Sequence, residues 1–302
     1  MDGDWLWIPV VLAAAAAQTL RNAAQRGLVK SVGTLPATFV RFVFGLPFAA
    51  CALGALIAAG VTLPDASATF LGWLAVGAVA QLTATAFLVA AMDQRSFVVA
   101  VAFSKTEIVQ IGVLSILLLA EVPTLAGIGS IALATAGVVL LSVKPGAERG
   151  AGLATWFSPA AALGLASGTC FALSVVGYRA AALALDHPQP WVEGIFALVF
   201  AQALQTALLG AWLAVRERAG LAAVARAWRV SLLAGFAGAA ASMGWLTAFA
   251  MRSAVDVRVV GLVELLYSYV LSRQLFREHV SWREIAGIVL VVAGIVLVSA
   301  AP

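Results

Sequence analysis

The chain has 302 residues, of which 63% are hydrophobic and 11% are charged, and its mean hydropathy is +1.03. Soluble domains are on average about 25% charged, so this composition excludes an ordinary soluble protein and indicates a membrane protein. The formal net charge is +4, but the Lys and Arg residues are spread through short connectors between apolar runs, which argues against a nucleic-acid-binding surface.

Ten apolar runs follow one another along the chain, each long enough to cross a bilayer. The predicted helices lie approximately at 6–28, 35–59, 68–91, 96–119, 123–143, 155–181, 190–214, 229–251, 255–275 and 282–300. Polar or turn-forming residues separate them, as in "GVTLPDASA", "DQRS" and "KPGAERGAG". Cys51 and Cys170 both fall inside apolar runs, so no disulfide framework, metal site or cofactor is expected.

Polar residues of the first half recur in the second half at a constant offset of 157 residues. The matched pairs are Glu107 with Glu264, Glu121 with Glu278, and "AGVVLLS" (136–142) with "AGIVLVS" (293–299), without a gap. We therefore predict an all-α integral membrane fold of ten transmembrane helices, built from two five-helix repeats at 1–143 and 154–302 with a linker at 144–153. Because five is an odd number, the second repeat must cross the membrane in the opposite sense. Inverted repeats of this kind are typical of transporters with a binding site near the bilayer midplane.

Three segments resemble the EamA family of the drug/metabolite transporter superfamily. They are "ATFVRFVFGLPFA" (37–49), "LLLAEVPTLAGIGSIALATAGVVLL" (117–141) and "SRQLFREHVSWREIAGIVLVVAGIVLV" (272–298). Within them Arg41 matches the family's usual arginine, and Glu121 and Glu278 match the glutamate ahead of the last helix of each repeat; a structural role is expected for all three. The resemblance implies a ten-helix secondary transporter with a central cavity, in most cases for metabolites or drugs. Many members carry proline near the two positions where this chain has Glu107 and Glu264.

Glu107 and Glu264 each lie near the middle of a predicted span. At 1.5 Å per residue, Glu107 is roughly 15–18 Å from either membrane interface. An acidic residue at a helix centre costs on the order of 2.5–3.5 kcal/mol on insertion scales, so such residues usually face a bundle interior or a wet cavity. Because desolvation favours the neutral form of a carboxyl group, we predict that both residues couple proton exchange to substrate binding. The alternative is a structural role, with pairing to Arg21, Arg41 or Lys105.

Other polar and aromatic residues within the spans are candidates for the lining of a substrate cavity. They are Gln18, Thr19, Asn22, Gln81, Thr85, Phe103, Lys105, Gln110, Trp245 and Tyr267. Lys105 lies about 200° round the helix from Glu107, so an ion pair within the helix is not expected. The two acids favour a cationic or amine-bearing substrate, whereas Lys105 and Arg41 suit a carboxylate. An amino-acid-like molecule satisfies both requirements.

The basic residues are distributed unevenly between the connectors on the two sides of the membrane. The odd-numbered connectors contain twelve of them: Arg26, Lys30, Arg95, Lys144, Arg149, Arg216, Arg218, Arg226, Arg229, Arg273, Arg277 and Arg283. The even-numbered connectors contain Arg179, Arg252 and Arg258. The positive-inside rule then places the odd connectors in the cytoplasm and both termini outside, against the family expectation of termini inside. A bacterial inner membrane is the expected location.

The leading interpretation is a secondary transporter, not an enzyme. A lipid-modifying membrane enzyme is disfavoured because His187 and His279 are isolated and no nucleophile–base spacing or metal motif is present. A chain without a phosphate-binding loop motif is not expected to be an ATP-driven pump. A non-transporting partner or scaffold protein and a passive channel stay open. The expected partners are a small-molecule substrate, protons and membrane lipids, without nucleic acid, and both a monomer and a homodimer are compatible with the sequence.

Overall fold

The computed structural model describes residues 5–92, 103–142, 158–276 and 282–300. Within these ranges the fold is helical and contains no β-strand, which confirms the predicted all-α class for this part of the chain. The helices are α1 (Trp7–Val32), α2 (Thr34–Val43), α3 (Leu46–Ala58), α4 (Ala68–Met92), α5 (Glu107–Leu119), α6 (Leu125–Ser142), α7 (Pro159–Leu185), α8 (Pro190–Arg216), α9 (Arg218–Arg226), α10 (Trp228–Met251), α11 (Ala254–Gly261), α12 (Val263–Phe276) and α13 (Trp282–Ser299).

Several helices have the length and apolar character needed to cross a membrane. The five longest such segments are Thr34–Ala58, Ala68–Ala91, Pro159–Leu185, Pro190–Arg216 and Trp228–Met251; shorter apolar helices cover Glu107–Leu119, Leu125–Leu141 and Ile285–Ser299. Large apolar side chains on these shorter helices are exposed, for example Leu117 and Val296, which suits contact with lipid. The chain is therefore a multi-pass membrane protein. The full number of ten spans stays a prediction, and the predicted linker 144–153 lies outside the described residues.

Among the described residues, the observed helices differ from the predicted ones at four main places. The fourth predicted span, 96–119, is interrupted by a turn at Lys105 and Thr106 before α5. The second predicted span is divided into α2 and α3 at Phe44 and Gly45, just before Pro47, whose missing N–H is tolerated only in the first turn of a helix. The ninth predicted span is divided into α11 and α12 at Leu262. In addition, α9 forms a short helix in a stretch that was predicted to be a connector.

The chain divides into two compact units. Unit 1 comprises Met1–Ala78 and Gly177–Arg252, and unit 2 comprises Val79–Val176 and Ser253–Pro302. Each unit contains helices from both predicted repeats, so the unit boundaries do not coincide with the repeat boundaries. The division into two sequence repeats stays a prediction.

Small residues let the helices of unit 1 approach closely. α1 packs along α10 with Gly244 beside Ala14 and Gly238 beside Arg21, so the two helices run antiparallel. A Cβ atom added to Gly244 would lie 2.7 Å from the Cβ of Ala14, which leaves no room for a larger side chain.

Two contacts in unit 1 join segments near the ends of the predicted spans. Gly220, after the seventh predicted span, lies against Pro36, which follows the first predicted span. On the even-numbered side, the Nε2 atom of His187 lies 3.2 Å from the carbonyl oxygen of Thr62. Which of the two faces is cytoplasmic stays a prediction.

In unit 2 the helices α6 and α13 form a close pair related by the sequence offset. Adding 157 to the bounds of α6 gives the bounds of α13. A Cβ on Gly137 would lie 2.6 Å from the carbonyl oxygen of Gly287, and a Cβ on Gly294 would lie 3.1 Å from that of Ser130. The offset maps each contact onto the other, and the two helices run antiparallel. This is the pattern that an inverted repeat predicts for one pair of equivalent helices.

Candidate functional site

Glu107 and Glu264 both lie in the first turn of a helix that follows a break. α5 begins at Glu107 after a turn at Lys105 and Thr106, and α12 begins one residue before Glu264, after the turn at Leu262. The offset of 157 carries Lys105 onto Leu262, so the two breaks are equivalent in the predicted repeats. At both positions the chain interrupts the helix without a proline. A carboxylate in a first turn is stabilised by the positive end of the helix dipole.

Backbone hydrogen bonds of short range form both breaks. The N–H of Thr106 donates to the carbonyl oxygen of Phe103 at 3.1 Å, and the N–H of Leu262 donates to that of Val259 at 3.1 Å. Bonds between residues three apart tighten the helix and often mark a hinge. Discontinuous helices of this kind surround the binding sites of many transporters.

Arg258 is the ion-pair partner of Glu107. Its Nη2 atom lies 2.5 Å from the Oε1 atom of Glu107, and the two side chains are only 15% and 9% exposed, respectively. Glu264 also attracts the guanidinium of Arg258 electrostatically. Glu107 is therefore ion-paired with an arginine of unit 2, and Glu264, from the other half of the sequence, acts on the charge of the same arginine. When all three groups are charged, their formal charge is −1.

The counting of Arg258 among the connector residues was wrong, because it lies inside α11 and not in a connector. Ser253 ends the preceding connector: its side-chain oxygen accepts a hydrogen bond from the N–H of Asp256 at 3.2 Å, a typical N-cap. The offset of 157 carries Arg258 onto Val101, so the arginine breaks the predicted symmetry. Sequence reasoning missed it for that reason, although the predicted ninth span already contained it. An arginine within a span that also holds a central acid was the available signal.

The break before α5 is packed closely by α7. The Nε2 atom of Gln110 donates to the hydroxyl of Thr106 at 2.8 Å, and that hydroxyl donates to the carbonyl oxygen of Phe103 at 2.7 Å. A Cβ on Gly168 would lie 2.8 Å from the carbonyl oxygen of Ser104. Three of the predicted lining positions, Phe103, Lys105 and Gln110, thus lie at this break. Lys105 makes no ion pair with another described residue.

Other predicted lining residues form a separate group in unit 1. The Nε1 atom of Trp245 donates to the Oε1 atom of Gln18 at 3.0 Å and joins α10 to α1. Asn22 accepts a hydrogen bond from the Nη2 atom of Arg21 at 2.8 Å. The hydroxyl of Thr19 donates to the carbonyl oxygen of Ala15 in its own helix, so this bond is local.

The remaining predicted residues are dispersed. In unit 2, the hydroxyl of Thr85 donates to the backbone carbonyl of Gln81 at 2.9 Å, and Tyr267 is partly buried on α12. Glu121 follows α5 after Ala120, whose φ of 55° ends that helix, and its N–H donates to the carbonyl oxygen of Ser115. Glu278 lies outside the described residues. The functional roles of the predicted site residues stay predictions.

Comparison with known proteins identifies the second half of the chain. Residues 158–300 match the model of the EamA-like transporter family, a family of the drug/metabolite transporter superfamily, and this confirms the resemblance noted in the sequence. Among solved structures, 27 chains match. One crystal structure aligns with a TM-score of 0.70 over 98% of this chain and 98% of its own at 16% identity, a likeness that shows the fold alone. A search of curated proteins finds no match.

Proposed function

We propose that this chain, whose residues 158–300 match the EamA-like transporter family, is a secondary active transporter that exchanges protons for a small amino-acid-like or cationic metabolite. The observation that carries the proposal is the buried ion pair of Glu107 with Arg258, whose charge Glu264 also attracts. The substrate, the proton coupling and the mechanism are the proposed part; the transporter family is the finding on which they are built.

The charge balance of this group gives a physical basis for exchange. Arg258 pairs with Glu107, and a negative charge at either glutamate is costly inside a membrane bundle. That charge is neutralised equally well by a proton on one carboxyl group or by the ammonium group of a substrate. Both together would leave the site with an excess positive charge. Binding of the proton and binding of the cation therefore exclude each other, which is the requirement for exchange.

The position of the acids in the fold supports alternating access. Both lie directly after a helix break, and breaks are positions where a few backbone dihedrals can absorb a rigid-body motion. The ion pair between Glu107 and Arg258 joins α5 to α11, the helices that border the two breaks. A change in the charge of Glu107 therefore alters the contact between two hinged segments.

Proton movement in proteoliposomes tests the proposal. The vesicles contain purified protein and an internal pH-sensitive dye, and amino acids and primary amines are added outside one at a time. We expect the wild-type protein to exchange at least one of them for protons, whereas Glu107→Gln and Glu264→Gln abolish the proton signal and still unfold cooperatively on heating. Asp65→Asn, a change of an exposed connector residue, should leave the signal unchanged.

Normal proton exchange in the Glu107→Gln/Glu264→Gln double variant would refute the coupling role of these residues. A wild-type protein that neither moves protons nor gains thermal stability with any of the compounds would favour the scaffold alternative.

A further inference from the structure

We infer that one end of unit 1, where helix α9 joins α8 to α10, is a binding surface for the headgroups of anionic phospholipids, with Arg216 and Arg229 as its main contacts. The inference goes beyond the proposed function and does not depend on it, because it concerns the membrane around the protein and not the transported metabolite. All the residues that carry it belong to unit 1.

The end of α8 and the start of α10 lie at the same end of this helix pair. The two helices pack against each other, and Gly194, near the start of α8, lies directly against Thr247, near the end of α10, so they run antiparallel. Both helices are long and apolar enough to span a membrane. The nine residues of α9 connect them, so this short helix lies near one membrane surface.

On α8, Arg216 continues a lipid-facing stripe to the end of the helix. Leu208, Trp212 and Arg216 follow one another at intervals of four residues, which places them on one face, and all three side chains are exposed. Exposed apolar side chains on a membrane span suit contact with acyl chains. Arg216 lies about 6 Å beyond Trp212 along the helix, at the level where a tryptophan belt gives way to lipid headgroups.

The start of α10 has the same arrangement. Arg229, Leu233 and Phe236 are exposed and share a face, because they are separated by four and three residues. The guanidinium carbon of Arg229 lies 5.5 Å from the ring centroid of Trp228, which is also exposed. An exposed tryptophan at the end of a span is typical of the membrane interface. Arg229 therefore lies at the depth of the lipid phosphates, directly above an apolar stripe.

Helix α9 adds positive charge between these two arginines. Its buried Gly220 and Val224 face the core of unit 1, whereas Arg218 and Arg226 are exposed. Each of these arginines donates from Nε to a backbone carbonyl oxygen four residues earlier, at 2.8 and 3.2 Å. Neither forms an ion pair with another described residue, which leaves the Nη groups of both for a phosphate.

The charge of the whole surface favours an anionic lipid. Residues 216–229 contain four arginines and one acid, Glu217, so their formal charge is +3. The Oε1 atom of Glu217 lies beside Gly220, where an added Cβ would be 3.2 Å from it. A guanidinium matches two phosphate oxygens with parallel N–H donors, and basic residues at a bilayer surface attract anionic headgroups. The continuity of Arg216 and Arg229 with lipid-facing stripes favours a lipid over a dissolved acid.

Fluorescence quenching in vesicles tests the surface at the level of one tryptophan. The full-length protein is reconstituted in equal parts of phosphatidylcholine and phosphatidylglycerol, and the acyl chains of one lipid or the other are brominated, so that lipids in contact with a tryptophan quench it. The difference between the wild type and Trp228→Phe isolates the signal of Trp228. We expect it to show a preference for phosphatidylglycerol of roughly fivefold or more, the contribution of one basic residue near an anionic surface. In about 1 M salt, where the Debye length is about 3 Å, the preference should largely disappear.

Two double variants test the arginines. Arg216→Gln/Arg229→Gln should lose most of the preference at Trp228, whereas Arg216→Lys/Arg229→Lys should keep most of it, because lysine retains the charge. The matched control is Arg283→Gln, which removes an arginine beside the exposed Trp282 of unit 2 and should leave the preference at Trp228 unchanged. In vesicles of phosphatidylcholine alone, all the variants should unfold at the temperature of the wild type, which verifies that they are folded.

Trp191 is the matched control position. It is exposed, it lies at the opposite end of α8, and the adjoining segment 186–193 contains two acids and no Lys or Arg. The difference between the wild type and Trp191→Phe should therefore show no preference for phosphatidylglycerol. Equal quenching of Trp228 by the two lipids, the same preference at Trp191, or an unchanged preference in the Arg216→Gln/Arg229→Gln variant would overturn the inference. Loss of the preference on addition of glycerol phosphate would also overturn it, because the ligand would then be a dissolved phosphate.

Discussion

Replacement of Arg258 by Gln should destabilise the protein more than replacement of Glu107 by Gln, although both changes break the same ion pair. The two variants leave different charges behind. In Glu107→Gln, Arg258 keeps the attraction of Glu264. In Arg258→Gln, the buried carboxylate of Glu107 loses its ion-pair partner, and an unpaired buried charge disfavours the folded state.

The burial of the pair sets the size of the effect. The side chains of Arg258 and Glu107 are 15% and 9% exposed, so neither can be rehydrated without a movement of its helix. Removal of one partner from a buried pair costs about 3–5 kcal/mol, whereas a hydrogen bond between membrane helices contributes roughly 0.6 kcal/mol on average. We expect Arg258→Gln to lower the free energy of unfolding by about 3–5 kcal/mol and Glu107→Gln to lower it by an amount closer to about 0.6 kcal/mol.

The free energy of unfolding of the purified protein, measured in mixed micelles, checks this prediction. Arg226→Gln, on the exposed surface of α9, serves as the control and should stay within about 0.5 kcal/mol of the wild type. If Arg258→Gln is no less stable than Arg226→Gln, or if Glu107→Gln is the more damaging change, the reasoning from charge compensation is refuted.

Two further predictions concern the packing and the orientation of the chain. Gly137→Ala should lower the unfolding temperature, because the added Cβ would lie 2.6 Å from a backbone oxygen. Gly72→Ala is the control: no atom lies within 4 Å of its new Cβ, so it should leave the unfolding temperature unchanged or raise it. Equal changes in the unfolding temperature of the two variants would contradict the packing argument. If the excess of basic residues in the odd-numbered connectors sets the orientation, a reporter that is active only outside the cytoplasm should be active when fused to the C-terminus. If that fusion is inactive and a fusion to the third connector is active, the orientation of the chain is the opposite of the predicted one.

The helices could be predicted from the sequence because apolar length is a local property. The predicted segment 68–91 differs from α4 by one residue, and the predicted 282–300 differs from α13 by one residue. The interruption at Thr106 could not be predicted in the same way, because no proline or glycine lies beside it. At Leu262 the preceding Gly261 was a weak signal, since an isolated glycine does not by itself end a helix. These turns depend on tertiary packing, such as the contact of Gly168 with Ser104.

The site was predicted in part for a similar reason. A carboxylate in a span is costly wherever its partner lies, so Glu107 and Glu264 are recognisable from the sequence alone. The partner is 151 residues away from Glu107 and has no equivalent in the other repeat, so periodicity gave no indication of it. The cavity-lining residues were chosen by polarity, and polarity does not distinguish a substrate contact from a local bond such as that of Thr19 to Ala15.

The choice of arginine at position 258 has a consequence for coupling that lysine would not share. A guanidinium spreads its charge over a planar group with five N–H donors, so it can hold Glu107 by one edge and attract Glu264 at the same time. Protonation of Glu107 would weaken the first contact and leave the second. Glu107 begins α5, and Glu264 lies in the first turn of α12. The guanidinium of Arg258 would then be attracted more strongly to α12 than to α5. In the mechanism that we propose, a single proton on Glu107 would therefore shift the attraction of Arg258 from one helix to the other, which is what a proton-driven conformational change requires.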